Sequence, residues 1–148
     1  MSESLNSIIK QTNKTKLFVG VGNVLKSDDG VGVYITEHIK ESDTIKKLTV
    51  EVSIENYLGK INSLNPNVLI LVDCVAFGKQ AGHHELLPAE MIKDFTYNTH
   101  NISLKKISAL FKMPVYILGI QPKSVEFGED ISEVTYRTAN KLLNIINL

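Results

Sequence analysis

The residues best suited to chemistry are acidic side chains that follow two apolar segments. Asp28 and Asp29 come after the β-prone segment Lys16–Val21, and Asp73 directly follows the wholly apolar run Val68–Val72. If both segments are parallel strands, their carboxyl ends meet at one edge of a sheet, where α/β proteins bind their ligands. We therefore expect Asp73 and the neighbouring aspartate pair to converge.

His100 is expected at the same edge, because it lies just before a predicted helix that begins near Ser103. Two carboxylates and one imidazole form a donor set that suits a divalent ion such as Ni²⁺ or Zn²⁺. Three protein ligands are too few for a closed structural zinc site, so the predicted site has open positions.

Each of these residues also has a structural interpretation. An aspartate at the end of a strand, such as Asp73, often caps a turn or a helix, and Asp28-Asp29-Gly30 is a common signal for a turn and a helix start. Cys74 is expected to be a small buried apolar residue. Strand alternation points its side chain away from that of Asp73, so only one of the two should face the site.

The spacing of apolar residues along the chain predicts alternating strands and helices, and these elements position the candidate site residues. Val31–Ile39 and Tyr57–Leu64 have helical spacing, whereas Leu48–Ile54 alternates as a strand does. Further strands are predicted at His84–Leu87 and Val115–Gly119, and helices near Leu104–Phe111 and Val134–Ile146. This order predicts an α/β fold: a three-layer α/β/α sandwich with a mostly parallel, twisted sheet of about five strands.

Length and composition predict one domain over residues 1–148, of which 1–15 form a polar N-terminal tail or short helix. Sixteen basic and sixteen acidic side chains balance to a net charge of zero, which disfavours nucleic acid as a partner. The longest apolar run is far shorter than a membrane span. A single cysteine and the lack of a secretory signal favour a cytoplasmic location.

A nucleotide- or phosphate-binding module is the alternative that the glycine-rich turn suggests. Gly20-Val-Gly22-Asn-Val-Leu25 has the first two glycines of a dinucleotide fingerprint but leucine in place of the third. Glu55 could contact a ribose. Asp28 and Asp29, however, would repel a pyrophosphate at the helix N-terminus, so this interpretation is disfavoured.

Four segments, in order, resemble the [NiFe]-hydrogenase maturation proteases. They are the glycine turn and acidic pair Gly20–Gly32, the strand and aspartate Leu71–Gly78, the Thr-His segment Thr99–Leu104, and the late strand and turn Gly119–Pro122. Together with Ser53–Gly59, the last segment is most similar to the hydrogenase-3-type subgroup. The chain departs from the family at 81–82, where alanine and glycine replace a frequent proline-glycine pair.

The resemblance implies that Asp29, Asp73 and His100 are both the catalytic residues and the residues that contact nickel. It implies an aspartic-type endopeptidase that removes a short C-terminal peptide from the large-subunit precursor of a [NiFe]-hydrogenase after nickel insertion. The nickel would be carried by the substrate, and no tightly bound organic cofactor is expected. A non-catalytic nickel-site chaperone in hydrogenase assembly is the alternative with the same three residues.

Overall fold

The structure, a computed structural model, describes residues 4–91, 104–128 and 130–148. Its centre is a five-stranded sheet with the order β2-β1-β3-β5-β4. Strands β1, β2, β3 and β5 run parallel, and β4 pairs antiparallel with β5 at one edge. The strands are β1 Lys16–Val21, β2 Ile45–Glu51, β3 Val68–Cys74, β4 His84–Pro88 and β5 Val115–Ile120.

Helices cover both faces of the sheet, which confirms the predicted three-layer α/β arrangement. On one face, the core contains apolar residues of α1, α2 and α5 together with Phe18, Ile70 and Leu118. On the other face, residues of α3 and α4 pack with Leu69 and Leu71. The helices are α1 Leu5–Ile9, α2 Val31–Glu37, α3 Leu58–Leu64, α4 Leu104–Ser108 and α5 Glu133–Ile146.

Strand β3 is central, and its sequence explains why. All seven of its residues are buried, as expected for a parallel strand covered by helices on both sides. Alternate residues enter opposite cores: Leu69 and Leu71 face α3 and α4, whereas Ile70, Val72 and Cys74 face α2. This alternation determines which side of the sheet each residue at the end of β3 can reach.

The predicted bounds of the second strand are wrong by three residues. The sequence pattern suggested Leu48–Ile54, but β2 spans Ile45–Glu51. Its start is set by pairing with β1, in which Ile45 lies opposite Lys16. At its end, Glu51 adopts a positive φ of 55°, so the extended conformation stops there.

The N-terminal segment contains the short helix that the sequence allowed. Leu5 and Ile8 of α1 are buried in the core beside α5. The ammonium group of Lys16 donates hydrogen bonds to the carbonyl oxygens of Ile9 (3.5 Å), the last residue of this helix, and Gln11 (2.6 Å), two residues later. Among the described residues, no helix is long and apolar enough to cross a membrane.

Glycines allow α2 to lie directly on the sheet. A Cβ atom on Gly32 would overlap the carbonyl oxygens of Val21 and Val72, on two neighbouring strands. A Cβ atom on Gly20 would overlap the hydroxyl group of Thr36 on the same helix. The close approach brings the start of α2, and the acidic pair that precedes it, against the ends of β1 and β3.

We expect Gly32→Ala to lower the free energy of unfolding by about 2 kcal/mol or more, because the new methyl group meets backbone atoms that cannot rotate away. Gly59→Ala is the matched control, since a Cβ atom on Gly59 meets nothing within 4 Å. That change removes a helical glycine and should raise stability by about 0.5 kcal/mol. Urea unfolding of both variants measures the difference, and equal stabilities would contradict the close packing.

Candidate active site

The candidate site lies at the carboxyl edge of the sheet, where β1 and β3 end. Asp28 and Asp29 belong to a short 3-10 turn, Ser27–Gly30, that leads into α2, and Asp73 is the penultimate residue of β3. All three aspartate side chains are fully buried. Donor atoms of Asp29, Asp73 and Cys74 lie within 4.8 Å of one another, so the predicted convergence of Asp29 and Asp73 is what the structure shows.

The carboxylate of Asp29 is held by one donor on each oxygen. The backbone N–H of Asn23 donates to Oδ2 at 2.9 Å, and the thiol of Cys74 donates to Oδ1 at 3.0 Å. A carboxylate oxygen can accept two hydrogen bonds. Each oxygen of Asp29 therefore keeps acceptor capacity for a further partner.

The carboxylate of Asp73 turns back toward its own strand. Its Oδ1 accepts a hydrogen bond of 2.8 Å from the backbone N–H of Cys74. Gly22 lies against both aspartates and has a φ of +132°. A Cβ atom at this position would overlap the carbonyl oxygen of Asp29 and would lie 3.5 Å from Oδ1 of Asp73. Glycine at this position keeps the two aspartates close together.

Cys74 is buried as predicted, but the expectation that it would face away from the site is wrong. Alternation does place Cys74 on the α2 side of the sheet. Asp29 lies on that same side of the sheet, because it belongs to the turn that leads into α2. The thiol therefore meets Asp29 while the backbone of Cys74 meets Asp73.

The chemistry of this thiol is that of a hydrogen-bond donor. Burial, followed by the negative charges of Asp73 and Asp29, raises the pKa of Cys74 well above its ordinary value. A thiol must lose its proton to act as a nucleophile. In the part of the site that the structure describes, Cys74 therefore acts as a donor to Asp29 rather than as a nucleophile.

Asp28 holds two distant segments together. Its carboxylate accepts hydrogen bonds from the backbone N–H groups of Lys123, Ser124 and Ser132 and from the hydroxyl groups of Ser132 and Thr135. The structural role expected for Asp28 agrees with this arrangement. Its contacts, however, are with residues 123–124 after β5 and with the start of α5, rather than with the helix that follows it in sequence.

The electrostatic balance at Asp29 favours a cation. Both of its hydrogen-bond donors are neutral groups, and Asp29 forms no ion pair with any residue that the structure describes. A buried carboxylate without a compensating charge is costly, and a metal ion offsets that cost. With Asp73 alongside, Asp29 can offer hard oxygen ligands to a divalent ion.

His100 lies outside the described residues, so its predicted place at this edge stays a prediction. Two of the histidines that the structure describes have local partners. The ring of His38 lies 2.8 Å from the carbonyl oxygen of Tyr34, and Nε2 of His83 lies 2.7 Å from Oε2 of Glu85.

The glycine turn does not present its N–H groups to a ligand. The N–H of Asn23 donates to Asp29, and the N–H of Gly22 donates to the carbonyl oxygen of Glu51 at 2.9 Å. A phosphate-binding turn uses such groups to hold its anion. The geometry therefore disfavours the nucleotide-binding alternative.

Comparison with solved structures shows the same fold. A [NiFe] hydrogenase maturation protease of Thermococcus kodakarensis superposes with a TM-score of 0.83, covering 97% of this chain and 96% of that chain at 23% identity. An endopeptidase of Escherichia coli gives a TM-score of 0.77, covering 90% and 89% of the two chains at 23% identity.

Sequence comparison extends the similarity to nearly the whole chain. A protein of Methanocaldococcus jannaschii, provisionally named a hydrogenase maturation protease, is 28% identical over 160 residues, covering 99% of this chain and 94% of the relative. The family model described as "Hydrogenase maturation protease" matches residues 33–147, well over half of the sequence. The chain therefore belongs to the hydrogenase maturation protease family.

Proposed function

We propose that this protein is an endopeptidase that removes a short C-terminal peptide from the nickel-loaded large-subunit precursor of a [NiFe]-hydrogenase. Asp29 and Asp73 recognise the nickel that the precursor carries, and His100 is the third residue of the site. The observation that carries the proposal is the meeting of two fully buried carboxylates at the strand edge of a chain in this family.

Recognition in this proposal is electrostatic and geometric. The nickel brings a positive charge to the Asp29 carboxylate, whose two described donors are neutral, so binding relieves the cost of burying it. Because the ion is fixed in the precursor, its capture also places the peptide next to the site, which is a proximity effect.

Hydrolysis then requires a water molecule to add to the scissile carbonyl carbon and a proton to reach the departing amine. The substrate's nickel could polarise the carbonyl or the water. Alternatively, Asp29 or Asp73 could accept the water's proton as a general base and return it to the amine. Each route uses the same two carboxylates, and neither requires a covalent intermediate on the protein.

Incubation with nickel-loaded precursor, followed by mass spectrometry of the products, distinguishes an enzyme from a chaperone. An endopeptidase shortens the precursor by its C-terminal peptide, whereas a nickel-site chaperone leaves the precursor mass intact. The wild type should cut and Asp73→Ala should not, with thermal melts showing that both are folded. The same assay on His100→Ala tests the third residue, and full activity of that variant would remove His100 from the proposed site.

A further inference from the structure

The end of β3 holds a side chain that the proposed reaction does not use but that touches both of its carboxylates. Cys74 donates its backbone N–H to Oδ1 of Asp73 at 2.8 Å and its thiol to Oδ1 of Asp29 at 3.0 Å. Its side chain is fully buried. Cys74 thus connects its neighbour Asp73 on β3 to Asp29 on the turn before α2, which lies 45 positions before Cys74 in the chain.

We propose that Cys74 is a positioning residue, whose thiol fixes the Asp29 carboxylate in the orientation that receives the precursor's nickel. The inference rests on the proposed function and adds a residue to it. The reaction chemistry is unchanged: the thiol forms no covalent bond with the substrate and acts only through Asp29.

The arrangement of donors explains why the thiol matters. Asn23 holds only Oδ2 of Asp29, so a carboxylate with that single bond could still rotate about its side-chain torsion. The thiol holds the second oxygen from the opposite element, the end of β3. Two donors from two elements fix the plane of the carboxylate, which a metal-binding oxygen pair requires.

The two bonds made by Cys74 can be separated by mutation. Cys74→Ala keeps the backbone N–H bond to Asp73 and removes only the thiol bond to Asp29. Cys74→Ser is also smaller than cysteine but retains a donor. Comparison of the two variants therefore isolates the hydrogen bond from the loss of volume.

We expect Cys74→Ala to lower kcat/KM for the nickel-loaded precursor by about tenfold, since one hydrogen bond to a charged group is lost. Cys74→Ser should restore kcat/KM to within about twofold of the wild type. If the wild type cuts and Cys74→Ala cuts equally well, or if Cys74→Ser is no better than Cys74→Ala, the positioning role is wrong. A wild type that does not cut at all would instead contradict the proposed function.

Infrared spectroscopy tests the hydrogen bond without any precursor. The chain has a single cysteine, so its S–H stretching band has one source. We expect Asp29→Ala, which leaves the thiol no side-chain acceptor at this position, to shift this band toward that of a free thiol and Asp73→Asn to leave it in place. An unchanged band in Asp29→Ala would overturn the inference, as would a sulfur-to-metal charge-transfer band when Co²⁺ alone is added to the wild type.

Discussion

Asp29→Asn is expected to slow cleavage of nickel-loaded precursor by about 100-fold or more, because it removes a buried negative charge from the position that faces the ion. The side-chain volume is nearly unchanged. An amide has one acceptor oxygen, so it cannot accept from both Asn23 and Cys74 as the carboxylate does. The loss should be seen in capture of the precursor as well as in turnover, measured by binding and by product mass.

The control for this charge change is Asp43→Asn, which makes the same change at an exposed position before the amino end of β2. It lies at the opposite edge of the sheet from the site and should leave both binding and cleavage unchanged. Thermal melts establish that each variant is folded. Cleavage by Asp29→Asn at the wild-type rate would remove this residue from the site.

Asp28→Asn should produce the reverse pattern, with a large loss of stability and cleavage nearly intact while the protein is folded. The Asp28 carboxylate accepts five hydrogen bonds from Lys123, Ser124, Ser132 and Thr135 in a fully buried position. Hydrogen bonds to a buried charged group are strong, and donors left without an acceptor are costly. We expect the free energy of unfolding to fall by about 3 kcal/mol.

That expectation exceeds the cost of about 1 kcal/mol that a simple turn or helix cap would predict. Urea unfolding measures the difference directly, and a loss below about 1 kcal/mol would show that the contacts to α5 contribute little. The cleavage assay is run at a temperature where the variant is fully folded. If Asp28 proved essential for cleavage and Asp29 dispensable, the assignment of the nickel-contacting aspartate would be off by one position.

The sequence was sufficient to predict the sheet edge and the pair of aspartates on it. The apolar run of β3 indicated a central parallel strand, and the glycine turn after β1 indicated a strand exit. Since parallel strands share an edge at their carboxyl ends, Asp29 and Asp73 could be predicted to lie on the same edge. The structure adds that β1 and β3 are neighbours, which lets the two residues meet.

The contacts within the site could not be predicted, because they depend on how α2 and α5 cross the sheet. Asp28 meets Ser132 across 104 residues, and no local pattern connects the two. For Cys74, strand alternation correctly predicts a side chain on the opposite face of the sheet from Asp73. The contact with Asp29 could not be predicted, because it depends on Asp29 lying on the α2 side of the sheet. The antiparallel direction of β4 likewise depends on the path of the chain after β3, because β4 begins with His84 opposite Ile120, at the edge where the parallel strands end. Hydrophobic patterning does not encode that path.

The most direct test of nickel recognition by Asp29 and Asp73 compares precursor that carries nickel with precursor that lacks it. Wild-type protein is incubated with each form of the precursor. In a third incubation, the protein is first exposed to Ni²⁺, freed of excess ion and then mixed with nickel-free precursor. If Asp29 and Asp73 recognise the substrate's nickel, only the nickel-loaded precursor loses the mass of its C-terminal peptide. Cleavage of nickel-free precursor at a comparable rate would contradict recognition of the substrate's nickel by Asp29 and Asp73.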